Sequence, residues 1–129
     1  MNYEPIPAED EALGHKIIGA AIEVHRLLGP GFLEKIYERA MCHELKLQGI
    51  PCEFQKDILV PYKDLQIPGQ QLDLLVCGRV IVELKAVTEF HPLHQAQLLS
   101  YLKATGLRLG LLINFHVPVL KDGLKRVVR

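Results

Sequence analysis

The chain has 129 residues, of which 49% are hydrophobic, and its formal net charge is zero. This length suits one domain with a real core, and the neutral charge counts against tight, nonspecific binding of duplex nucleic acid. The N-terminal segment is neither basic nor apolar enough for a signal peptide, and no apolar run has the length of a membrane span. Three scattered cysteines form neither a disulfide framework nor a zinc motif. A cytoplasmic protein without a membrane partner is therefore expected.

The hydrophobic pattern predicts one domain over residues 1–129, with residues 1–7 as a loose N-terminal arm. Turn signals at 63–64 and 68–69 separate a first strand from a hairpin. Because a strand, a crossover helix and a further strand occur in succession, we expect an α/β (α+β) fold with a mixed central sheet flanked by helices. The predicted elements, in the order ααβββαββ, are helices over 9–28 and 32–48, a strand over 52–62, a hairpin over 70–86, a helix over 92–105, and strands over 108–115 and 124–129.

The hairpin carries three charged residues, Asp73, Glu83 and Lys85, inside otherwise apolar strands. An isolated charge among aliphatic side chains costs several kcal/mol unless a partner compensates it. A bound cation compensates two carboxylates, and a lysine beside them can orient and activate a water molecule. This is the inventory of a metal-dependent phosphodiesterase site. The alternative interpretation is an edge strand with solvated charges.

The geometry of this candidate site depends on the length of the hairpin turn. Glu83 and Lys85 are two residues apart, so they lie on one face of a strand. A two-residue turn would direct Asp73 to the opposite face. A three-residue turn would place Asp73 directly opposite Glu83, with their Cβ atoms about 5 Å apart. The site therefore requires an odd-length turn or a bulge near Gly78.

Two polar residues of the first helix border its apolar face. Glu23 either pairs with Arg26 or points into a site beneath the helix. His25 is more typical of a hydrogen-bonded core residue than of a ligand, so it is a secondary candidate.

The second and third helices contribute further candidates. His94, Gln97 and Tyr101 share one face of the third helix, where Gln97 can hold a water, a metal-bound carboxylate or a phosphate. The alternative is an ordinary helix whose polar face hydrogen-bonds the sheet edge. Glu34 and Tyr37, three residues apart, can touch near the start of the second helix, although a first-turn glutamate already suits the helix dipole.

Together these residues resemble a known family. Gly31, Glu34 and Tyr37 match the motif that gives the GxxExxY proteins their name. That family is placed in the PD-(D/E)xK nuclease superfamily, whose restriction-endonuclease-like core is α-β-β-β-α-β around a mixed sheet. The segments that carry the resemblance are Glu23-Val24-His25, Leu28-Gly29-Pro30-Gly31, Asp73, Ile81-Val82-Glu83-Leu84-Lys85-Ala86, Gln97, Tyr101 and Leu111-Leu112-Ile113-Asn114-Phe115.

The resemblance implies a set of metal ligands. Asp73 and Glu83 would bind Mg²⁺ or Mn²⁺, and Glu23 would match the first-helix carboxylate that joins the metal shell. Lys85 would position or activate the attacking water. The sequence departs from the superfamily signature at one position, because Leu72 stands where the signature has a proline before the aspartate.

The resemblance also assigns residues around these ligands. Gln97 and Tyr101 resemble the Q-x-x-x-Y helix motif of the RecB-like nucleases. The remaining polar candidates are expected to contact substrate or to support the ligands; they are His25, Glu34, Tyr37 and His94.

The sequence therefore predicts a metal-dependent nuclease that hydrolyses nucleic-acid phosphodiester bonds, with DNA as the expected substrate. The alternative is a nuclease-fold module without catalysis that binds nucleic acid or protein, with a homodimer as one option. A third interpretation is an unrelated interaction protein that uses its leucine-rich helices.

Overall fold

The computed structural model describes residues 5–129, and the first four residues of the predicted N-terminal arm lie outside that range. Residues 5–7 precede the first helix without regular structure. The predicted order of helices and strands is confirmed, and a short 3₁₀ turn at Leu120–Gly123 is added before the last strand. The elements are α1 (Ala8–Leu28), α2 (Glu34–Leu47), β1 (Cys52–Tyr62), β2 (Leu65–Val76), β3 (Val80–Lys85), α3 (Pro92–Thr105), β4 (Leu109–Asn114) and β5 (Leu124–Val128).

The strands form one mixed sheet in the order β1-β2-β3-β4-β5, so β1 and β5 are its edges. Neighbouring strands are antiparallel except for β3 and β4, which are parallel. Parallel neighbours need a crossover connection, and α3 provides it. The mixed sheet flanked by helices, predicted from the sequence, is confirmed.

Helices cover both faces of the central strands. Val82 faces a core shared with α1 and α2, whereas its neighbour Ile81 faces a second core shared with α3. This is the alternation that a strand imposes on successive side chains. Because β3 and β4 are buried on both faces, they appear in the sequence as nearly continuous apolar runs. None of the helices in residues 5–129 combines the length and the apolar character needed to cross a membrane.

The β2–β3 hairpin has the odd-length turn that the candidate site requires. Val76 pairs with Val80, so three residues form the turn. Two of them have positive φ, Cys77 at 53° and Gly78 at 65°. The third, Arg79, forms an ion pair of 2.6 Å with the buried carboxylate of Asp10 and so fixes the turn against α1.

The turn predicted at Pro68-Gly69 was wrong, because both residues lie inside β2. They form a bulge instead. The register shifts where Ile58 pairs with Gln70 but Val60 pairs with Ile67, so β2 contains one extra residue. Gly69 has φ 111°, and proline and glycine are the residues that a bulge tolerates.

Candidate active site

The two strand carboxylates lie side by side where the β2–β3 ladder ends. The last ladder pair is Leu74 with Val82, so Asp73 and Glu83 are the next residues on the two strands. The Asp73 N–H donates a hydrogen bond to Glu83 Oε2 at 2.9 Å, and the Leu84 N–H donates to Asp73 Oδ2 at 2.9 Å. Each carboxylate thus binds the opposite strand through one oxygen, and these two bonds leave its second oxygen unused.

The backbone of β2 changes face at Asp73. Leu72 packs in the core beneath α3, whereas Leu74 packs in the core beneath α1 and α2, although residues two apart in a regular strand share a face. The neighbours of Gln55 in β1 pair with Leu72 and Leu74, and Gln55 itself has φ 52°. Both strands are therefore distorted at the point where the carboxylate pair is displayed.

The surroundings of the carboxylate pair disfavour its charged form. Burial and then the charge of Asp73 raise the pKa of Glu83 to about 8, from an ordinary value of 4.5. Burial also raises the pKa of Asp73, against the opposing effects of the Leu84 N–H and of Lys85. A buried and a half-buried carboxylate, both with raised pKa values, form a site that gains from a bound cation.

Lys85 belongs to the same cluster. It lies two residues beyond Glu83 and is half-buried, and its positive charge acts to lower the pKa of both Asp73 and Glu83. The single ammonium group of Lys85 does not outweigh the burial of the two carboxylates, so their pKa values stay raised.

Helix α2 adds two carboxylates to the cluster. Glu34 Oε1 accepts a hydrogen bond from the Ala86 N–H at 3.4 Å, just beyond the end of β3. Glu38, one turn further along, is 9% exposed and accepts a hydrogen bond from the Gln55 side chain. Burial is the main cause that raises the pKa of Glu38, and the charges of Asp73 and Glu34 add to it.

Sequence reasoning missed Glu38. The available signal was its position four residues after Glu34 and beside Tyr37, which places it next to the buried face of an amphipathic helix. A glutamate at such a border needs a partner, and Gln55 is 17 residues away in sequence.

Tyr37 is a structural residue rather than part of the cluster. Its side chain is fully buried and stacks on Phe115, with ring centroids 4.4 Å apart and an interplanar angle of 5°. Its hydroxyl donates to Gly29 O at 2.6 Å and accepts from the Phe32 N–H at 3.2 Å. These bonds fix the loop that contains Gly31, at φ 115°, and leads directly into Glu34.

Helix α3 brings two of its polar residues to the cluster. Tyr101 Oη accepts a hydrogen bond from Gln70 Nε2 at 3.2 Å. Its pKa is raised by burial and then by the charges of Glu83 and Asp73. The pKa of His94 is lowered by burial and then by the charge of Lys85.

The same helix holds Gln97 and an N-terminal cap. Gln97 is half-buried, and it lies on the helix face between His94 and Tyr101. The His91 N–H donates to His94 Nδ1 at 3.2 Å, and His91 Nδ1 accepts from the Leu93 N–H at 3.1 Å. This reciprocal capping box fixes the first turn of α3 and hence the position of His94.

The two candidates from α1 are not brought to the cluster. Glu23 forms an ion pair of 2.8 Å with Arg26, whose hydrogen bond lowers the pKa of Glu23. The structure thus adopts the pairing alternative for Glu23, and its expected place among the metal ligands is not supported. His25 Nε2 donates a hydrogen bond to Val117 O at 2.7 Å. His25 is therefore a hydrogen-bonded structural residue, as its sequence position favoured, and not a ligand of the cluster.

The donor set fits one kind of divalent metal site. Within residues 5–129, no group of three or more His, Cys, Asp or Glu side chains is arranged to enclose a metal ion. Mg²⁺, however, is usually held by only one or two carboxylates and keeps several waters. Asp73 and Glu83 supply such a pair, and both have an oxygen left over from the strand bonds. The residues therefore fit an open, two-carboxylate site.

Comparison with known proteins identifies the class of this fold. Residues 11–127 match the family model described as the PD-(D/E)XK nuclease superfamily, so the fold is of the nuclease type. The chain belongs to that superfamily, and the match extends from α1 into β5. A search of curated proteins found no match, and neither did a search of solved structures.

Proposed function

We propose that this protein is a metal-dependent nuclease that hydrolyses phosphodiester bonds of nucleic acid. The observation that carries the proposal is the carboxylate pair of Asp73 and Glu83, joined by reciprocal bonds across two strands and flanked by Lys85. Membership of the PD-(D/E)XK superfamily supports it, and in the sequence Asp73, Glu83 and Lys85 resemble the acidic and lysine residues of that superfamily's signature.

Asp73 and Glu83 would hold Mg²⁺ or Mn²⁺. The ion would supply charge neutralisation at the phosphoryl group and acidify a nucleophilic water. Lys85 would orient that water and offset negative charge as it develops on the phosphate. Glu34 and Glu38 lie close enough to influence the pair electrostatically, and they would hold waters around it.

The residues of α3 would position the substrate. Tyr101 has a hydroxyl held near the carboxylates, and Gln97 on the same face would donate hydrogen bonds to a phosphate oxygen or to the water. His94, with its lowered pKa, would act as a neutral donor or acceptor beside Lys85.

We also propose that the chain is one of the GxxExxY proteins, because Gly31, Glu34 and Tyr37 match their motif. In the structure, Tyr37 fixes the loop that precedes Glu34. DNA as substrate and a cytoplasmic location stay predictions from the sequence.

The direct test is a cleavage assay on labelled single- and double-stranded DNA and RNA with Mg²⁺ or Mn²⁺. We expect Asp73→Asn and Lys85→Met each to reduce the rate by at least about 100-fold, because each removes a group that acts on the transition state. Glu23→Gln is the matched control: it removes a carboxylate that pairs with Arg26, and it should leave the rate unchanged. Activity that survives both Asp73→Asn and Lys85→Met would reject the proposed roles.

A second candidate function is a nuclease-fold binding module without catalysis. The neutral net charge favours it. Calorimetric titration with Mn²⁺ separates the two functions. Saturable binding that Asp73→Asn abolishes supports the nuclease, and no binding at millimolar Mn²⁺ supports the module.

A further inference from the structure

A cleft of about 470 Å³ lies between α2 and β1, beside the carboxylate cluster. It is lined by Lys35, Ile36, Glu38, Arg39, Phe54 and Gln55. Glu38 belongs to both places, because its charge also contributes to the raised pKa of Glu83. A molecule held in this cleft would therefore lie next to the proposed catalytic carboxylates.

The cleft presents an aromatic surface with cations beside it. Phe54 is 49% exposed, which is unusual for a large apolar ring in a strand, and the neighbouring Ile36 is 41% exposed. The Arg39 guanidinium lies over the Phe54 ring at 5.7 Å from its centroid. Lys35, one turn before Arg39 on α2, adds a second cation to the same lining.

This combination matches the chemistry of an unpaired nucleotide. Single-stranded nucleic acids are bound by stacking bases on aromatic rings or guanidinium planes, with Lys and Arg on the phosphates. The cleft volume falls within the range of small-ligand sites, so it has room for one nucleotide. The Glu38–Gln55 pair on the same lining offers donors and acceptors to the edge of a base.

A continuous duplex does not suit the cleft. Its bases are already stacked and paired, and a base would have to be flipped out to reach Phe54. Affinity for duplex comes mainly from many phosphate contacts, whereas this chain is neutral overall and provides two cations here.

We infer that the substrate is a single-stranded or frayed nucleic acid, with one unpaired base stacked on Phe54 and its phosphate held by Lys35 and Arg39. This inference rests on the proposed nuclease function, and it specifies the strand state that the site accepts.

The test is fluorescence anisotropy with a labelled 12-nucleotide oligothymidine, alone and annealed to its complement, in EDTA so that cleavage cannot occur. We expect the full chain to bind the single strand at least about tenfold more tightly than the duplex. Phe54→Ala should weaken single-strand binding by roughly tenfold and leave duplex binding unchanged. Arg39→Met should lower the salt dependence of single-strand binding by about 0.7 in the log–log slope.

The chain offers a matched control at the other end of β1. Tyr62 is 60% exposed, and Lys63 lies over its ring at 5.5 Å from the centroid, so the same aromatic–cation pair occurs there away from the cleft. Tyr62→Ala should leave single-strand affinity unchanged. Equal losses from Phe54→Ala and Tyr62→Ala, or equal losses for single strand and duplex, would overturn the inference.

Two further measurements keep the outcomes separate. Phe54→Leu retains an apolar side chain at this position, so it should fold even where Phe54→Ala does not, and it should lose single-strand affinity to a similar extent. If sedimentation shows a dimer that Phe54→Ala dissociates, the cleft is occupied by a second copy of the chain and the inference is wrong. Because binding is measured without metal, a catalytically dead chain that still shows Phe54-dependent binding contradicts the nuclease function alone.

Discussion

At the scale of single residues, the carboxylate of Glu83 dominates the electrostatics of the site. It is 7% exposed and lies beside a half-buried carboxylate, Asp73. The sequence predicted that Asp73 and Glu83 would lie together given an odd-length turn or a bulge near Gly78, and the three-residue turn brings them together.

The sequence did not predict Glu38, because the partner of that glutamate, Gln55, is 17 residues away in sequence. It left Glu23 open between a local pair with Arg26 and a place in the site, and the structure has the local pair.

The raised pKa of Glu83 predicts how stability depends on pH. Its pKa is about 8 in the folded chain against an ordinary value of 4.5, so between these values the folded state keeps a proton that the unfolded state releases. Without metal, the free energy of unfolding should therefore fall as pH rises from about 4.5 to 8, by an amount on the order of a few kcal/mol. Thermal melting from pH 5 to 8.5 in EDTA measures this fall.

The Glu83→Gln variant provides the comparison. A neutral amide has no proton to lose, so its melting temperature should change less across the same range and exceed that of the parent at pH 8. If the melting temperatures of parent and variant change with pH to the same extent, Glu83 ionises normally and the prediction is wrong.

At the scale of elements, the loop before α2 decides where Glu34 is placed. Each residue of the motif Gly31-x-x-Glu34-x-x-Tyr37 has a separate structural role. The glycine allows a positive φ, the tyrosine fixes the loop, and the glutamate reaches the end of β3. From the sequence, Glu34 and Tyr37 could touch within the helix, and a first-turn glutamate was the alternative. The structure instead directs Tyr37 back to Gly29 and Phe32, because a buried phenol needs hydrogen-bond partners and the loop backbone offers both.

Tyr37→Phe should therefore lower the free energy of unfolding by about 1–2 kcal/mol, because it removes two hydrogen bonds and keeps the ring stacked on Phe115. Urea unfolding measures this loss. Tyr62→Phe, on an exposed ring, is the control and should change stability by less than about 0.5 kcal/mol. Equal stability of Tyr37→Phe and the parent would mean that the loop is fixed by the stacked ring alone.

Helix α3 approaches β4 closely at Gly110. A Cβ atom added there would lie 2.8 Å from Leu98 Cδ1 and 2.9 Å from Leu98 Cγ. Gly110→Ala should therefore destabilise the chain by about 1–3 kcal/mol, and combining it with Leu98→Ala should recover part of that loss. Chemical denaturation of the two single variants and the double variant measures the coupling.

The matched control is Gly19→Ala. This glycine lies inside α1, and an added Cβ would meet no atom within 4 Å. The substitution should stabilise the chain by up to about 1 kcal/mol. If Gly110→Ala stabilises the chain in the same way, the close packing of α3 on the sheet is wrong.

At the scale of the whole molecule, the sequence predicted the sheet and its flanking helices correctly, but it placed a turn wrongly at Pro68-Gly69. The helices and strands of the described residues were predicted from helical apolar spacing, from stop signals and from apolar runs bounded by turn residues. Pro68-Gly69 was misread because both residues suit a turn and a bulge equally, and only the pairing of the two strands distinguishes them. The site depends on that pairing as well, since its residues come from β2, β3, α2 and α3.

The outer position of β1 bears on how copies of the chain can associate. An edge strand exposes unpaired backbone groups and invites a second sheet to join it. In β1, Pro61 lacks an N–H, and charged residues are spaced along the strand, among them Glu53, Lys56 and Asp57. Sheet extension through β1 is thereby disfavoured, so a homodimer that continued the sheet would have to join at β5, the other edge strand.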